Sequence, residues 1–145
     1  MIIYTIGFTK RSAKDFFEAL RGTSAKHLLD IRLHNTSQLA GFTKRADLQY
    51  FLREVVGMQY HEISALAPEE TALKEYRKGK DWAKFEASYL IAVRQRQVER
   101  QLDISLFEEG AVLLCSETTP DRCHRRLAAE YLRSGLLPQA EIVHL

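Results

Sequence analysis

Only two cysteines occur in the 145 residues, Cys115 and Cys123, and they do not form a Cys-x-x-Cys pair. That excludes a disulfide-stapled scaffold, and both thiols are expected to be reduced. Glycine and proline are sparse, at seven and three, so there is no Pro/Gly-rich linker and no glycine-rich phosphate loop. No apolar run approaches the roughly 18 to 20 residues that cross a bilayer, and no membrane partner is expected. The net charge of +2 is too small to mark a nucleic-acid footprint by itself, though a local basic cluster can serve as one. The chain opens on strand-like residues with no basic leader or small-residue cleavage site, so a cytoplasmic location is expected.

What is present reads as one globular domain. The chain is 46% hydrophobic and 28% charged, which excludes disorder, and its length suffices for a core. Ile2-Ile3-Tyr4-Thr5-Ile6, ended by Gly7, suits a buried parallel strand. Ser12-Ala13-Lys14-Asp15 resembles a capping box and opens a helix that Gly22 closes. His27 to Leu33 reads as a second strand, 34 to 45 as a loop, and Leu48, Phe51, Leu52 and Val55 as a helix stopped by Gly57. A third strand is expected over Met58 to Ile63, a short helix from Pro68-Glu69, and a long helix over 81 to 102. Ala111 to Cys115 is a strand, Thr119-Pro120 has the form of an N-cap and first helical residue, and that helix runs to about Ser134. Glu141 to Leu145 closes the chain as a strand. The order β-α-β-α-β-α-α-β-α-β predicts an α/β fold, with a mainly parallel sheet of about five strands and helices on both faces.

The segment Cys115 to Arg126 carries the chemistry. A buried strand delivers Cys115 to the C-terminal edge of the sheet, where open α/β sheets bind ligands. A helix N-terminus follows, and it favours anions and thiolates. Arg122, Arg125 and His124 nearby would lower the Cys115 pKa and raise its nucleophilicity. The Ser116 and Thr118 hydroxyls and the arginines suit a phosphate, sulfate or carboxylate. Glu117 suits a proton-transfer role. Equally, Cys123, Leu127 and Tyr131 share a helical stripe that can be plain core, and the arginines can be a solvated face. Cys115, Cys123 and His124 fall one ligand short of a standard zinc pattern, and the two cysteines are close enough in sequence to pair. The spacing from Cys115 to Arg122, with Pro120 between, departs from a phosphatase loop.

The Cys-x-Glu…Cys-His-Arg arrangement at Cys115, Glu117, Cys123, His124 and Arg125 resembles the signature of the family called domain of unknown function 488. The likeness extends to Thr5-Ile6-Gly7 with Ser12, to Asp30-Ile31-Arg32, to Ser37 and Gly41-Phe42, and to Tyr60-His61. Two departures stand out: Leu33-His34-Asn35 where the family has a proline, and Ser64-Ala65-Leu66-Ala67 where it has paired glycines. The resemblance implies one crevice shared by Asp30, Arg32, Thr5, Gly7 and Cys115, and it implies no particular reaction.

Three readings stay open on the sequence. The first is a cysteine-dependent enzyme for a small anionic substrate, phosphorylated or nucleotide-like. Its catalytic set would be Cys115, Glu117, Cys123 and His124, and its binding set Arg125, Arg122, Asp30, Arg32, Thr5, Gly7 and Ser116. The second is a non-catalytic nucleotide- or nucleic-acid-binding module. The third gives the cysteines and histidine a structural or zinc-binding role. No cofactor follows from the residues. His34 and His61, and the mixed charges from Lys74 to Arg100, suit a surface, while Tyr76, Trp82 and Tyr89 could stack on bases.

Overall fold

The computed structural model describes residues 1–36, 41–117 and 119–145. Ser37 and Thr118 lie outside the described residues. Five parallel strands form one sheet in the order β3-β2-β4-β1-β5: β1 (Ile2–Gly7), β2 (His27–Asp30), β3 (Gln59–Glu62), β4 (Ala111–Cys115) and β5 (Glu141–His144). Among the described residues, seven α-helices flank it: α1 (Ala13–Arg21), α2 (Arg45–Phe51), α3 (Glu70–Gly79), α4 (Trp82–Gln95), α5 (Val98–Gln101), α6 (Ser105–Glu108) and α7 (His124–Gly135). The chain is a three-layer α/β fold, as the alternation of elements predicts.

Strand alternation builds two cores. On β4, Ala111 and Leu113 face one layer with Phe85, Tyr89 and Val93 of α4 and Leu127 and Leu132 of α7. Val112 and Leu114 face the other with Phe16, Phe17 and Leu20 of α1 and Leu48 of α2. Every residue of β4 is buried, because it lies between β1 and β2 with helices on both faces. Cys115 follows Leu113 by two and therefore points into the α4–α7 layer. The connection after β2 runs to the opposite layer. The loops after β2 and β4 thus part, which is the condition for a crevice at the strand ends.

Local signals set several boundaries and tertiary contacts reset others. Ser12 Oγ accepts from Asp15 N at 3.1 Å, so the expected cap of α1 is there. Gly57 closes the second helical segment at φ 69°, a left-handed conformation that glycine adopts without strain. That segment starts at Arg45 rather than Leu48, and its last turn, Leu52–Val56, is π-helical. The second strand stops at Asp30 and not Leu33, because Arg32 folds back: its Nε and Nη2 each reach the Asp30 carboxylate at 2.8 Å. The long helix expected over 81 to 102 breaks at Gln97, φ 52°. The break turns Val98, fully buried, into the core. The helix after β4 opens at His124 and not Pro120; residues 119–123 form turns, closed by Cys123 N–H to the Pro120 carbonyl at 3.2 Å.

Candidate functional site

β4 ends at Cys115, paired in register with Gly7 of β1. The chain then leaves the sheet as a short loop pinned by Thr9 N–H to the Ser116 carbonyl at 3.0 Å. Cys123 stands at the N-cap of α7 with extended backbone, φ −135° and ψ 139°. Cys123, His124 and Arg125 are all buried in succession. An extended residue followed by a first helical turn sends these three side chains in three directions, toward Cys115, Ile31 and Thr5.

The central contacts form a relay. Cys123 Sγ lies 2.6 Å from Cys115 Sγ, and Cys115 Sγ lies 3.3 Å from His124 Nδ1. On its far side, His124 Nε2 is 2.7 Å from the Ile31 carbonyl oxygen. A carbonyl can only accept, so Nε2 carries a proton; the tautomer this selects leaves Nδ1, on the thiol side, as the acceptor. A nucleophile, a base within reach and a third group orienting that base are the parts of an activated cysteine. Tyr89 adds a wall: its ring is 5.6 Å from the His124 ring, and its hydroxyl donates to the Leu66 carbonyl at 2.7 Å.

Arg125 holds the loop from beneath. It is wholly buried, and its guanidinium donates to the Glu117 carbonyl and, at 3.3 Å from Nε, to Thr5 Oγ1. Thr5 Oγ1 in turn meets His144 Nδ1 at 2.6 Å. Gly7 has a steric reason here, because a Cβ built on it would sit 1.6 Å from the Glu117 carbonyl oxygen. Only a residue without a side chain lets this loop pass so close to β1.

Electrostatics sort the two thiols. Burial works against the Cys115 thiolate. The Cys123 hydrogen bond, the Glu117 and Ser116 backbone N–H groups and the charge of Arg125 outweigh it, so the Cys115 pKa falls below the ordinary thiol value. Burial and the hydrogen bond and charge of Cys115 push Cys123 well up. The two sulfurs and the His124 Nδ1 lie within 4.8 Å of one another, a soft donor set that could hold a metal with an open fourth position. Two sulfurs bound tetrahedrally at the usual Zn–S length sit about 3.8 Å apart. The observed 2.6 Å is shorter, so a metal enters only if a cysteine rotates away.

A cavity of about 240 Å³ opens over these groups. Cys115, Cys123 and His124 form its floor, and Ser116, Glu117, Arg122 and Arg32 belong to its wall. The rest of the lining includes Tyr76, Arg77 and Lys80 from α3 and the turn after it, with Trp82 and Phe85 of α4; of these the sequence offered only Tyr76 and Trp82, as rings able to stack on bases. Otherwise the only signal was a basic, aromatic stretch that resembles any solvated helix. Among the described wall residues Glu117 is the sole acid against Arg32, Arg77, Lys80 and Arg122. The cavity lining is therefore rich in cations, with aromatic rings among them.

Four of the expected binding residues stand behind this wall and do not line it: Thr5, Gly7, Asp30 and Arg125. Asp30 is fully buried, bound by both Arg32 and, at 2.6 Å, the Tyr60 hydroxyl. The Asp30–Arg32 pair thus fastens the end of β2, and Arg32 also donates to the Thr43 carbonyl at 2.8 Å. The Ser64–Leu66 turn, which replaces the glycines expected by resemblance, is held by Arg96 through the Ala65 and Ala67 carbonyls at 3.0 and 2.6 Å.

The family described as Domain of unknown function DUF488 matches residues 12–132. The chain belongs to that family. The matched stretch contains Cys115 to Arg125 and leaves out β1 with Thr5 and Gly7, and β5 with His144. No curated protein and no solved structure matches the chain.

Proposed function

We propose that this chain is a cysteine-dependent enzyme acting on a small anionic substrate, phosphorylated or nucleotide-like. Cys115 is the nucleophile. His124 takes its proton through Nδ1, while the Ile31 carbonyl fixes the ring and its tautomer. Arg122, joined by Arg77 and Lys80 at the cavity rim, draws in the anion, and the Ser116 hydroxyl offers it a hydrogen bond. Glu117, exposed at the wall, exchanges protons on the substrate side. Asp30, Arg32, Thr5, Gly7 and Arg125 hold the frame, and Arg125 also favours the thiolate. The observation that carries this reading is the thiol–imidazole contact of 3.3 Å at the floor of a cationic cavity, with the far ring nitrogen already committed.

A pair of alkylating agents of similar size tests both halves of it. Iodoacetate is an anion and iodoacetamide is neutral. The ratio of their rates at Cys115 is expected to exceed the ratio measured on free cysteine by several-fold at low salt. Added salt screens the attraction over a Debye length of about 10 Å at 0.1 M and lowers the ratio. Arg122→Ala combined with Arg77→Ala is expected to bring it most of the way to the free-cysteine value. A ratio indifferent to both salt and the arginines removes the anion site.

The aromatic residues of the lining, Tyr76 and Trp82, support a second reading, a nucleotide-binding module without chemistry. Calorimetry with mononucleotides decides this. Binding unchanged in Cys115→Ser, together with a wild-type thiol no faster than free cysteine, favours the module.

A further inference from the structure

The mechanism above uses one thiol, yet a second lies in contact with it. Cys123 is 2% exposed, shares the cavity floor with Cys115 and sits 2.6 Å from its sulfur. Cys123 is no accident of helix packing. The chain defers the start of α7 by several residues and holds Cys123 in extended conformation, which brings that sulfur back over the end of β4.

A nucleophile with a thiol in contact has a distinctive chemistry. Any sulfur electrophile captured on Cys115 is attacked at once by the neighbour, because no diffusion or loop movement is needed. Acyl or phosphoryl groups on Cys115 gain nothing from such a neighbour. We infer that Cys115 and Cys123 act as attacking and resolving thiols, and that the substrate is an anionic low-molecular-weight disulfide. This rests on the proposal that Cys115 is a nucleophile and names the reaction class.

The steps balance as follows. The Cys115 thiolate attacks one sulfur of the substrate RS–SR, whose S–S bond breaks and releases RS⁻. The product is a mixed disulfide on Cys115. His124 passes the proton it took from Cys115 to the released RS⁻ and then takes the proton of Cys123; the resulting thiolate attacks the Cys115 sulfur and expels the second RS⁻, which receives that second proton. Two electrons and two protons pass from the protein dithiol to RS–SR, giving two RSH and a Cys115–Cys123 disulfide. An external dithiol must reduce that disulfide for the next turnover. The asymmetry of the two thiols accords with these roles, Cys115 being the more acidic and Cys123 the less.

Dithiobis(nitrobenzoate), a flat aromatic disulfide bearing carboxylates, is a suitable probe because each exchange releases a coloured thiolate. The wild type is expected to release two thiolate equivalents per chain and to retain no adduct. Trypsin cuts after Arg122 and so separates the two cysteines; the wild-type digest is expected to contain their peptides joined by a disulfide. Cys123→Ser is expected to release one equivalent and to keep the other half bound to Cys115. Cys115→Ser is expected to lose the fast phase. A wild type that retains an adduct on each cysteine overturns the resolving role while leaving the nucleophile in place. No exchange at all in a protein whose Cys115 reacts rapidly with iodoacetate overturns the disulfide substrate alone. Failure of both reagents overturns the nucleophile as well.

Discussion

Arg125→Ala is expected to lower the unfolding free energy by about 3–5 kcal/mol, by analogy with emptying a buried site and orphaning its hydrogen-bond partners. The guanidinium is fully buried and is a shared donor for the Glu117 carbonyl and Thr5. Alanine leaves these acceptors without it and opens a void beneath the loop that follows Cys115. In a chain of this size the loss amounts to a fall in Tm on the order of 10 °C. Arg125→Lys keeps the charge but not the planar fork, so it is expected to fall between the two. The Cys115 pKa should follow the charge: raised in Arg125→Ala and less so in Arg125→Lys. Urea denaturation of the three proteins checks the first expectation, and an alanine cost below about 1 kcal/mol would contradict the framing role given to this residue.

The second large effect is chemical. His124→Gln is expected to slow alkylation of Cys115 near pH 7 by on the order of 100-fold, the lower end of what a positioned base contributes. Glutamine is chosen because its amide can still donate to the Ile31 carbonyl while nothing replaces Nδ1. Stability should therefore change much less than reactivity. The deficit should also shrink as pH rises, because solvent then removes the proton that His124 no longer takes. A Gln variant with the wild-type rate at pH 7 would reduce His124 to a packing residue.

The sheet was legible in the sequence because strands are written locally. Ala111 to Cys115 is a continuous apolar run and Ile2 to Ile6 a β-branched and aromatic one, and both are inner strands of the sheet. The Ala111 to Cys115 run puts Cys115 at the C-terminal end of the middle strand. The helix that follows was misplaced because Thr119-Pro120 is a sound local start signal, and burial of Cys123, His124 and Arg125 overrides it. A helix begun at Pro120 would carry these three around its circumference, and at least one would face solvent. Other parts had no local signal at all. The Ile31 carbonyl that orients His124 is backbone, 93 residues away in sequence. Arg77 and Lys80 look like any solvated helix end until α3 folds over the strand ends. Arg96 reads as one more surface cation, yet it holds the turn beneath Tyr89. Residue types thus marked Cys115, His124 and the nearby arginines as candidates, while the carbonyl that orients His124 and the part of the cavity supplied by α3 came from contacts between distant elements.

The central claim is an activated thiol at Cys115, and the pH dependence of its alkylation tests that most directly. Only the thiolate reacts, so the rate rises with pH through the pKa. Burial alone would raise that midpoint; the Cys123 hydrogen bond, the backbone N–H groups and Arg125 lower it. Iodoacetamide labelling, read on the tryptic peptide that ends at Arg122, follows Cys115 without interference from Cys123. The account expects a midpoint below the roughly 8.5 of a free cysteine, moving upward in Arg125→Lys. A midpoint at or above the free value, unmoved by that substitution, would contradict it and leave Cys115 a packing residue at the end of a strand.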